Sequence, residues 1–409
     1  MLRKDISNQN YSEISQTQKR ILILVIVILT LIPVFFMHID VFFSGDELIT
    51  YSTSNNDQAG FIFSDARVSK YMKEYVFTGN ASENISNLMA TVQDVLKNKR
   101  NSKLFSAARD PEVKLFSHEE MVDWFAKRPD ERFNYGSTFI YTWGDDGQSW
   151  MYYSLINTSA SIFLPISDTK WAGFIVNYLF FILTIIALWN LGKIIGNSEK
   201  ENFIILTCFC LWTETTHTVT NMRSYGVAGF FATLLVIMAV RIFKSVMTEE
   251  CIKKSDLIRF VIVYAFGYVT HYTIGAILAM LGLTLVVFML IQKKKHVGSV
   301  VVTGIVALLS GFVLAPDSVA DLLTEYSNKG ASDMPIEVLV VMIPSVIAFV
   351  ALIVYAVKKR EALTDPFYYC GVAMLLEFMM IMYGTNRVGY SRISYPVFLL
   401  LVVSALFRL

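Results

Sequence analysis

The chain has 409 residues, of which 54% are hydrophobic and 14% are aromatic, and its mean hydropathy is +0.50. This composition is too apolar for a water-soluble protein of that length, and it predicts a polytopic membrane protein. The formal net charge is only +1, so the charge balance gives no support to a nucleic-acid partner.

A polar N-terminal tail, residues 1–20, precedes the first apolar segment at 21–43. About twenty apolar residues are enough to cross the hydrocarbon core of a bilayer. Because no small-residue cleavage site follows this segment, we interpret it as a retained signal anchor rather than a cleaved signal peptide.

Nine further apolar segments follow, and two of them, at 203–212 and 257–269, need their polar flanks to reach the length of a span. The sequence therefore predicts an all-α polytopic membrane protein with about ten transmembrane helices. About nine of these helices belong to a bundle formed by residues 166–409. The other seven segments lie at about 171–191, 225–243, 274–291, 297–314, 336–357, 367–383 and 393–407.

Basic residues concentrate in alternate connections between the apolar segments. By the positive-inside rule, these connections and both termini are predicted to be cytoplasmic, and residues 44–165 are predicted to be outside. The residues that set this orientation are Arg3, Lys4, Lys19, Arg20, Lys193, Lys200, Arg241, Lys244, Lys253, Lys254, Arg259, Lys293, Lys294, Lys295, Lys358, Lys359 and Arg360.

The long outer region, 44–165, carries helical patterns. Apolar residues recur at helical spacing from Ile85 to Leu96, and Ser117 with Glu120 forms a capping-box pattern. Together with Trp143, Trp150 and Trp171, these patterns predict juxtamembrane helices on the bilayer surface. The alternative is a small soluble cap domain.

Unusual polar clusters all fall on the predicted outer side. Ionisable groups near membrane depth are costly unless they are paired or hydrated, so their gathering on one side favours a solvated cavity. The alternative is that helix ends are simply polar, and that Ser44, Gly45 and Asp46 only cap a helix. The clusters are Asp46-Glu47, Asp145-Asp146 with Tyr152-Tyr153, Glu214 through Tyr225, and Thr270-His271-Tyr272, with Arg387 and Arg392 before the last span.

Several of these stretches resemble motifs of the GT-C superfamily of membrane glycosyltransferases, in the branch that contains protein O-mannosyltransferases and aminoarabinose transferases. Gly45-Asp46-Glu47 resembles the acidic motif that opens their first outer loop. Asp146 to Tyr153 is similar to Asp-x-His-Pro-Pro-Leu-Tyr-Tyr, although Gln148-Ser149-Trp150 replaces His-Pro-Pro. The other similar stretches, in the same order, are Arg223-Ser-Tyr225, Thr270-His-Tyr272 and Tyr390-Ser-Arg-Ile-Ser-Tyr-Pro396.

The resemblance implies an inverting transfer of a sugar from a polyprenyl-phosphate donor to an acceptor hydroxyl. It assigns Asp46 as the base, with Glu47 either orienting Asp46 or holding the sugar. Arg387 or Arg392 would contact the phosphate, with Arg223 as the competing residue, because a guanidinium can bind an oxyanion through two hydrogen bonds. The remaining assignments are Tyr225, His271 and Tyr272 for the donor, and Asp146, Tyr152 and Tyr153 for the second acidic motif.

No cofactor is required by this chemistry. A divalent cation held by Asp145 and Asp146 with the first acidic pair is the alternative, although Gly144 to Gly147 also fits an ordinary turn. The expected partners are the donor lipid, the bilayer and an acceptor that is a glycan, a lipid or a protein. The Lys-, Asn- and Ile-rich composition favours a bacterial plasma membrane over an endoplasmic reticulum.

Three other function classes remain open. A transporter or flippase usually carries ionisable residues near the midplane of its spans, whereas here Glu377 is the main such residue. A lipid-linked glycan polymerase or ligase would use similar donors. A membrane scaffold would bind a partner through the outer region.

Overall fold

The computed structural model of the chain is helical, as the sequence predicts. Its described residues are 85% helix and contain no strand. The predicted segment at 336–357 lies almost entirely outside them, as does the Ser117 capping box. The described residues are 15–39, 44–55, 70–98, 102–108, 126–136, 138, 142, 150–167, 169–248, 252–292, 294, 296–315, 350, 354, 366–385 and 388–408.

The first part of the chain forms the first apolar segment and several shorter helices. The predicted helix at Ile85 to Leu96 is confirmed as part of α4. These elements are α1 (Gln16–Thr30), α2 (Ile32–Ile39), α3 (Gly45–Asn55), a π-helical turn (Met72–Val76), α4 (Ala81–Asn98), α5 (Lys103–Ala108), a 3-10 turn (Pro129–Glu131), α6 (Trp150–Ile162) and a second 3-10 turn (Leu164–Ile166).

The second part forms a bundle of longer helices, separated by short connections where both sides are described. These helices are α7 (Trp171–Ile195), α8 (Glu199–Leu211), α9 (Thr213–Thr220), α10 (Tyr225–Met247), α11 (Lys254–Tyr268), α12 (Ile274–Ile291), α13 (Val297–Leu314), α14 (Pro366–Thr385), α15 (Val388–Ser391) and α16 (Tyr395–Arg408).

Among the described residues, five segments are long and apolar enough to cross a membrane. They are Gln16–Ile39, which combines α1 and α2, and the helices α7, α10, α12 and α13. Shorter apolar helical runs lie at Phe367–Ile381 and Tyr395–Ala405. The architecture is therefore that of a helical membrane protein, and the count of ten spans stays a prediction.

Local sequence signals explain several helix boundaries. Ser15 with Gln18 caps α1, and Ser198 with Glu201 caps α8, each through a reciprocal pair of hydrogen bonds. The end of α7 is set by Gly196, whose φ of 92° lies in the left-handed region that glycine adopts without strain. The first segment breaks at Leu31, two residues before Pro33.

Helix ends in the bundle meet in two separate groups. At one end, which we call the basic end, Lys19 pairs with Glu199 at 2.7 Å and Lys244 donates to the Ile194 carbonyl. The starts of α1 and α8 therefore lie together there, as do the ends of α7 and α10. The other end, which we call the site end, holds the start of α10 and the α11–α12 connection. Helices α7 and α10 consequently both end at the basic end, where α8 begins.

Helix α10 occupies the centre of the bundle. Its residues Ala228, Ala232, Leu235, Val236 and Val240 are fully buried, and it contacts α7, α11, α12, α14 and α16. By contrast, α13 exposes most of its apolar surface. An exposed apolar face of this kind is what a lipid-facing helix presents.

Two glycines of α13 provide a matched test of this packing. A Cβ at Gly311 would lie 3.0 Å from the Tyr268 ring, whereas a Cβ at Gly304 would have no neighbour within 4 Å. We expect Gly311→Leu to destabilise the protein by about 1–3 kcal/mol, because overpacking displaces buried neighbours. Thermal unfolding in detergent should show a lower melting temperature for Gly311→Leu and nearly no change for Gly304→Leu. Equal melting temperatures would contradict this packing.

Candidate functional site

The first acidic motif begins helix α3. The Ser44 N–H donates to Glu47 Oε2 at 2.7 Å, and the Glu47 N–H donates to Ser44 Oγ at 3.4 Å. This reciprocal arrangement is a capping box. The stretch that begins at Ser44 therefore does cap a helix, which is the alternative that the sequence left open. Asp46 lies in the first turn of α3, and its side chain is outside the described residues. The N-terminal end of the helix dipole favours negative charge at both carboxylates.

Glu47 is the buried centre of this region. Its Oε2 lies 3.2 Å from Lys170 Nζ, and both side chains are only 2% exposed. Its Oε1 accepts a hydrogen bond from the Met222 N–H at 3.1 Å. The carboxylate therefore joins α3 to the residue before α7 and to the connection before α10. With its cap partner Ser44, it has three partners, which suit a positioning role.

Helix α6 brings the second motif against α3. Tyr152 and Tyr153 are buried, and their hydroxyls lie near Glu47 and Thr50 respectively. Burial raises the pKa of both tyrosines, so they remain protonated hydrogen-bond donors at neutral pH. The Met151 N–H donates to the Val269 carbonyl at 3.3 Å, which ties α6 to the α11–α12 connection.

His271 lies in that connection and is 8% exposed. Its Nδ1 accepts a hydrogen bond from the Thr273 N–H at 3.3 Å, which places the imidazole proton on Nε2. Burial and, next, the positive charge of Arg223 lower the pKa of His271 to about 3. The ring is therefore a neutral donor at physiological pH.

Three tyrosines surround this imidazole. Tyr272 stacks on it with ring centroids 4.9 Å apart, while Tyr225 and Tyr390 lie at 5.5 and 5.2 Å. The Tyr272 and Tyr390 hydroxyls are hydrogen-bonded to each other at 3.1 Å. We call Tyr225, His271, Tyr272 and Tyr390 the aromatic cluster.

Arg392 lies on a neighbouring cavity instead of in the aromatic cluster. Its Nε lies 2.7 Å from Glu214 Oε2, and the two side chains are 17% and 39% exposed. The cavity is small, with a volume of about 30 Å³, and Tyr225, whose ring lies 5.5 Å from that of His271, is one of its lining residues. It is lined by Phe181, Thr184, Phe209, Glu214, Thr215, Thr218, Val219, Tyr225, Gly226, Gly229, Arg392, Tyr395 and Pro396.

Three predicted site residues lie outside the described part of the chain: Asp145, Asp146 and Arg387. Within the described part, no group of three or more His, Cys, Asp or Glu side chains could hold a metal ion. The cation alternative thus stays a prediction. The described site residues Glu47, Tyr152, Tyr153, Arg223, Tyr225, His271 and Tyr272 come together at the site end of the bundle.

Sequence reasoning missed Lys170 and gave no role to Tyr390. Lys170 had one usable signal: it is a cation at the predicted outer start of a span, where the positive-inside rule disfavours one. Such a residue is expected to have a buried partner. Tyr390 belongs to the last quoted motif, but its position against His271 depends on how separate helices pack.

No family model, curated protein or solved structure matches this chain. The chemistry must therefore be argued from the site. Several hydrogen-bond donors lie in this region: the hydroxyls of Tyr152 and Tyr153, the guanidinium of Arg223 and the neutral imidazole of His271. Hydroxyl and imidazole donors beside the Arg223 guanidinium are suited to binding a ligand rich in oxygen atoms, either anionic or hydroxylated.

The buried ion pair can be tested with a double-mutant cycle. Lys170→Met leaves the Glu47 carboxylate buried without its cation, and we expect a loss of about 3–5 kcal/mol in folding stability. Glu47→Gln should also destabilise the protein, because it leaves Lys170 without its counter-charge. The double variant should lose much less stability than the sum of the single losses. Chemical unfolding in detergent measures all four species, and additive losses would contradict a direct pair.

The buried histidine gives a prediction about pH. The unfolded chain protonates His271 below about pH 6.5, whereas the folded chain resists protonation until about pH 3. Its contribution to stability is therefore full above pH 6.5 and declines as the pH falls toward 3. We expect His271→Gln to lose less melting temperature than the wild type between pH 7.5 and 5. The exposed His217, changed to Gln, serves as the control and should follow the wild type.

Proposed function

We propose that the chain is an inverting glycosyltransferase that moves a sugar from a polyprenyl-phosphate donor to an acceptor hydroxyl at the outer face of a membrane. The observation that carries this proposal is the convergence of residues from α3, α6, the start of α10 and the α11–α12 connection. These are the stretches that resemble the GT-C motifs, and they are distant from one another in sequence.

In the proposed reaction, Asp46 accepts the proton of the acceptor hydroxyl. The acceptor oxygen attacks the anomeric carbon and forms the new glycosidic bond. The bond from that carbon to the phosphate oxygen breaks, and its electron pair leaves with the polyprenyl phosphate. The configuration inverts because attack and departure occur on opposite faces. A phosphate is a stable anion, so no strong general acid is needed.

Glu47 supports this role for its neighbour without acting as the base. Its carboxylate already binds Lys170, the Met222 N–H and the Ser44 N–H. These contacts fix the first turn of α3 and therefore the backbone of Asp46. A base held on a rigid helix keeps its distance to the acceptor constant, which is the geometric requirement of general base catalysis.

The groups best placed to bind the donor phosphate are the Arg223 guanidinium and the Nε2–H of His271. Arg223 is close enough to affect the pKa of His271 electrostatically. Arg392 lies outside the aromatic cluster, with its Nε 2.7 Å from Glu214 Oε2. A guanidinium beside a neutral imidazole donor stabilises the charge that develops on the leaving oxygen. Arg387 stays an alternative, since it lies outside the described residues.

A transporter is the rival function that one observation favours. Glu377 in α14 is fully buried, and Ser394 is the hydroxyl residue beside its carboxyl group. Ionisable residues at such positions often mark transport pathways.

The proposed setting of the transferase is a bacterial plasma membrane, with both termini cytoplasmic and the site outside. The acceptor is a glycan, a lipid or a protein.

The enzyme and transporter proposals predict different effects of two substitutions. Asp46→Asn should abolish transfer, with the loss in rate exceeding about 100-fold, because it removes the general base. Cells carrying it should accumulate one polyprenyl-phosphate sugar and lose one surface glycan decoration. Mass spectrometry of lipid-linked sugars and surface glycans, at matched protein abundance, measures both changes.

Two control variants make the result specific. Asp256→Asn changes a carboxylate near the start of α11, at the basic end, and should leave the glycans unchanged. Glu377→Gln should likewise keep transfer. If Asp46→Asn retains the glycan decoration while Glu377→Gln abolishes solute flux, the transferase proposal is wrong and the transporter is favoured.

A further inference from the structure

A larger cavity lies in the predicted outer region and is not used by the proposed transfer reaction. It is a groove between the π-helical turn, α4 and α5, and α4 packs against both other elements. Its volume of about 600 Å³ is within the range of small-molecule sites, about 300–1,000 Å³. The side chains that give the groove its character are those of Tyr71, Tyr75, Asn87, Thr91, Asp94 and Lys103.

Two stacked tyrosines form one wall of the groove. The ring centroids of Tyr71 and Tyr75 lie 4.9 Å apart, and the ring planes differ by 29°. Stacking uses one face of each ring, and Tyr75 is 61% exposed, so its second face is open to solvent. Such a face is a rigid apolar surface on which the C–H groups of a ligand can pack.

The amide of Asn87 supplies a fixed hydrogen-bond acceptor beside these rings. Its Nδ2 donates to the Val76 carbonyl and to Thr78 Oγ1, each at 3.4 Å. Because a carbonyl can only accept, the first contact fixes which end of the amide is the nitrogen. The amide oxygen has no partner among the described residues, so it is available to a ligand.

Asp94 supplies a second fixed acceptor. Its Oδ2 accepts a hydrogen bond from the Lys103 N–H at 2.7 Å, and its Oδ1 accepts one from the Asn98 amide at 2.6 Å. The bond from Lys103 and, next, the bond from Asn98 lower the pKa of Asp94, so the carboxylate is ionised at neutral pH. Since each carboxylate oxygen has two lone pairs, each can accept one more hydrogen bond. Both acceptors of the groove are therefore held in place before a ligand arrives.

The charges of the groove favour a neutral ligand. Asp94 and Lys103 are the two charged residues among those that line it, and their charges attract each other. An anionic ligand would be repelled by the Asp94 carboxylate, and a cationic ligand would be repelled by the Lys103 ammonium. A neutral ligand that donates hydrogen bonds through hydroxyl groups meets neither repulsion.

Helix α4 turns its apolar residues away from the groove. Asn87, Thr91 and Asp94 recur at intervals of four and three residues, so they share one face of the helix. Ile85 precedes Asp94 by nine residues and is 63% exposed. Because each residue turns the helix by about 100°, Ile85 lies on the opposite face. The apolar face, which is predicted to lie on the bilayer surface, therefore leaves the groove open to water.

We propose that this groove binds a neutral sugar unit of a glycan chain. A pyranose ring has an apolar C–H face bordered by hydroxyl groups, which matches an aromatic wall beside fixed acceptors. The C–H face packs on the ring of Tyr75, and the hydroxyls donate to Asn87 Oδ1 and to the Asp94 carboxylate. The proposal does not depend on the transfer reaction, since binding requires neither Asp46 nor a donor lipid.

Saturation-transfer difference NMR of the full chain tests the proposal, in a detergent whose head group is not a sugar. The neutral probes are maltohexaose, cellohexaose, mannohexaose and chitohexaose, and the charged probes are hexagalacturonate and choline. We expect at least one neutral hexasaccharide to bind with a Kd of about 1 mM or below, several-fold more tightly than both charged probes. The proposal is overturned if no neutral hexasaccharide binds, or if a charged probe binds most tightly.

Variants of exposed aromatic residues locate the binding site. Tyr75→Ala should weaken binding of the neutral hexasaccharide by up to about tenfold, because it removes the packing surface, whereas Tyr75→Phe keeps the ring and should bind nearly as well as the wild type. Phe77→Ala is the matched control, since Phe77 is 56% exposed and lies outside the groove. Unchanged binding by Tyr75→Ala, or an equal loss in Phe77→Ala, would overturn the proposal.

One further variant keeps this proposal separate from the proposed function. Asp46→Asn should bind the hexasaccharide like the wild type, because Asp46 is not part of the groove. A failure of the transferase proposal would therefore leave sugar binding by the groove intact. Loss of binding in Asp46→Asn, at an unchanged melting temperature, would contradict a separate groove.

Discussion

The buried contact between Glu47 and Lys170 is the interaction on which the site end depends. A carboxylate and an ammonium that are both withdrawn from water tolerate this environment only when they are paired and hydrogen-bonded. Glu47 meets both conditions, since it also binds the backbone of Ser44 and Met222. One side chain therefore fixes the first turn of α3 to the start of α7 and to the segment that leads into α10. Because Tyr225 lies three residues after Met222, the same contact also helps to position this ring of the aromatic cluster.

Much of the helical architecture could be predicted because apolar length is a local property. The predicted segments at 274–291 and 297–314 coincide with α12 and α13, since a polar connection sharply bounds them. The short apolar segment at 203–212 lengthens into its polar flank, as predicted, because α8 already begins at Glu199. Glu199, Lys200 and Glu201 interrupt the apolar pattern, yet the Ser198 capping box starts α8 at Glu199. A hydropathy profile therefore places the start of a helix too late when the first turn of that helix is charged.

The site was predictable to the extent that its residues lie at the ends of apolar segments. Residues such as His271 and Tyr225 are polar interruptions that topology assigns to one side. The contact partners of the site residues could not be predicted, because a single sequence gives no distances between separate helices. The Lys170 contact with Glu47 and the Glu214 contact with Arg392 each join positions more than 100 residues apart. Packing of α3, α7, α9 and the start of α16 decides those pairs.

The short length of helix α8 has a consequence for a bilayer around it. Helix α8 has 13 residues and packs against α16. At 1.5 Å per residue α8 is only about 20 Å long, whereas the hydrocarbon core of a bilayer is about 30 Å thick. Hydrophobic mismatch of this size is relieved when the lipid next to a short helix thins. In a membrane, head groups beside α8 would then sit deeper than elsewhere around the protein, which brings water closer to Glu214 and Thr215 at the start of α9.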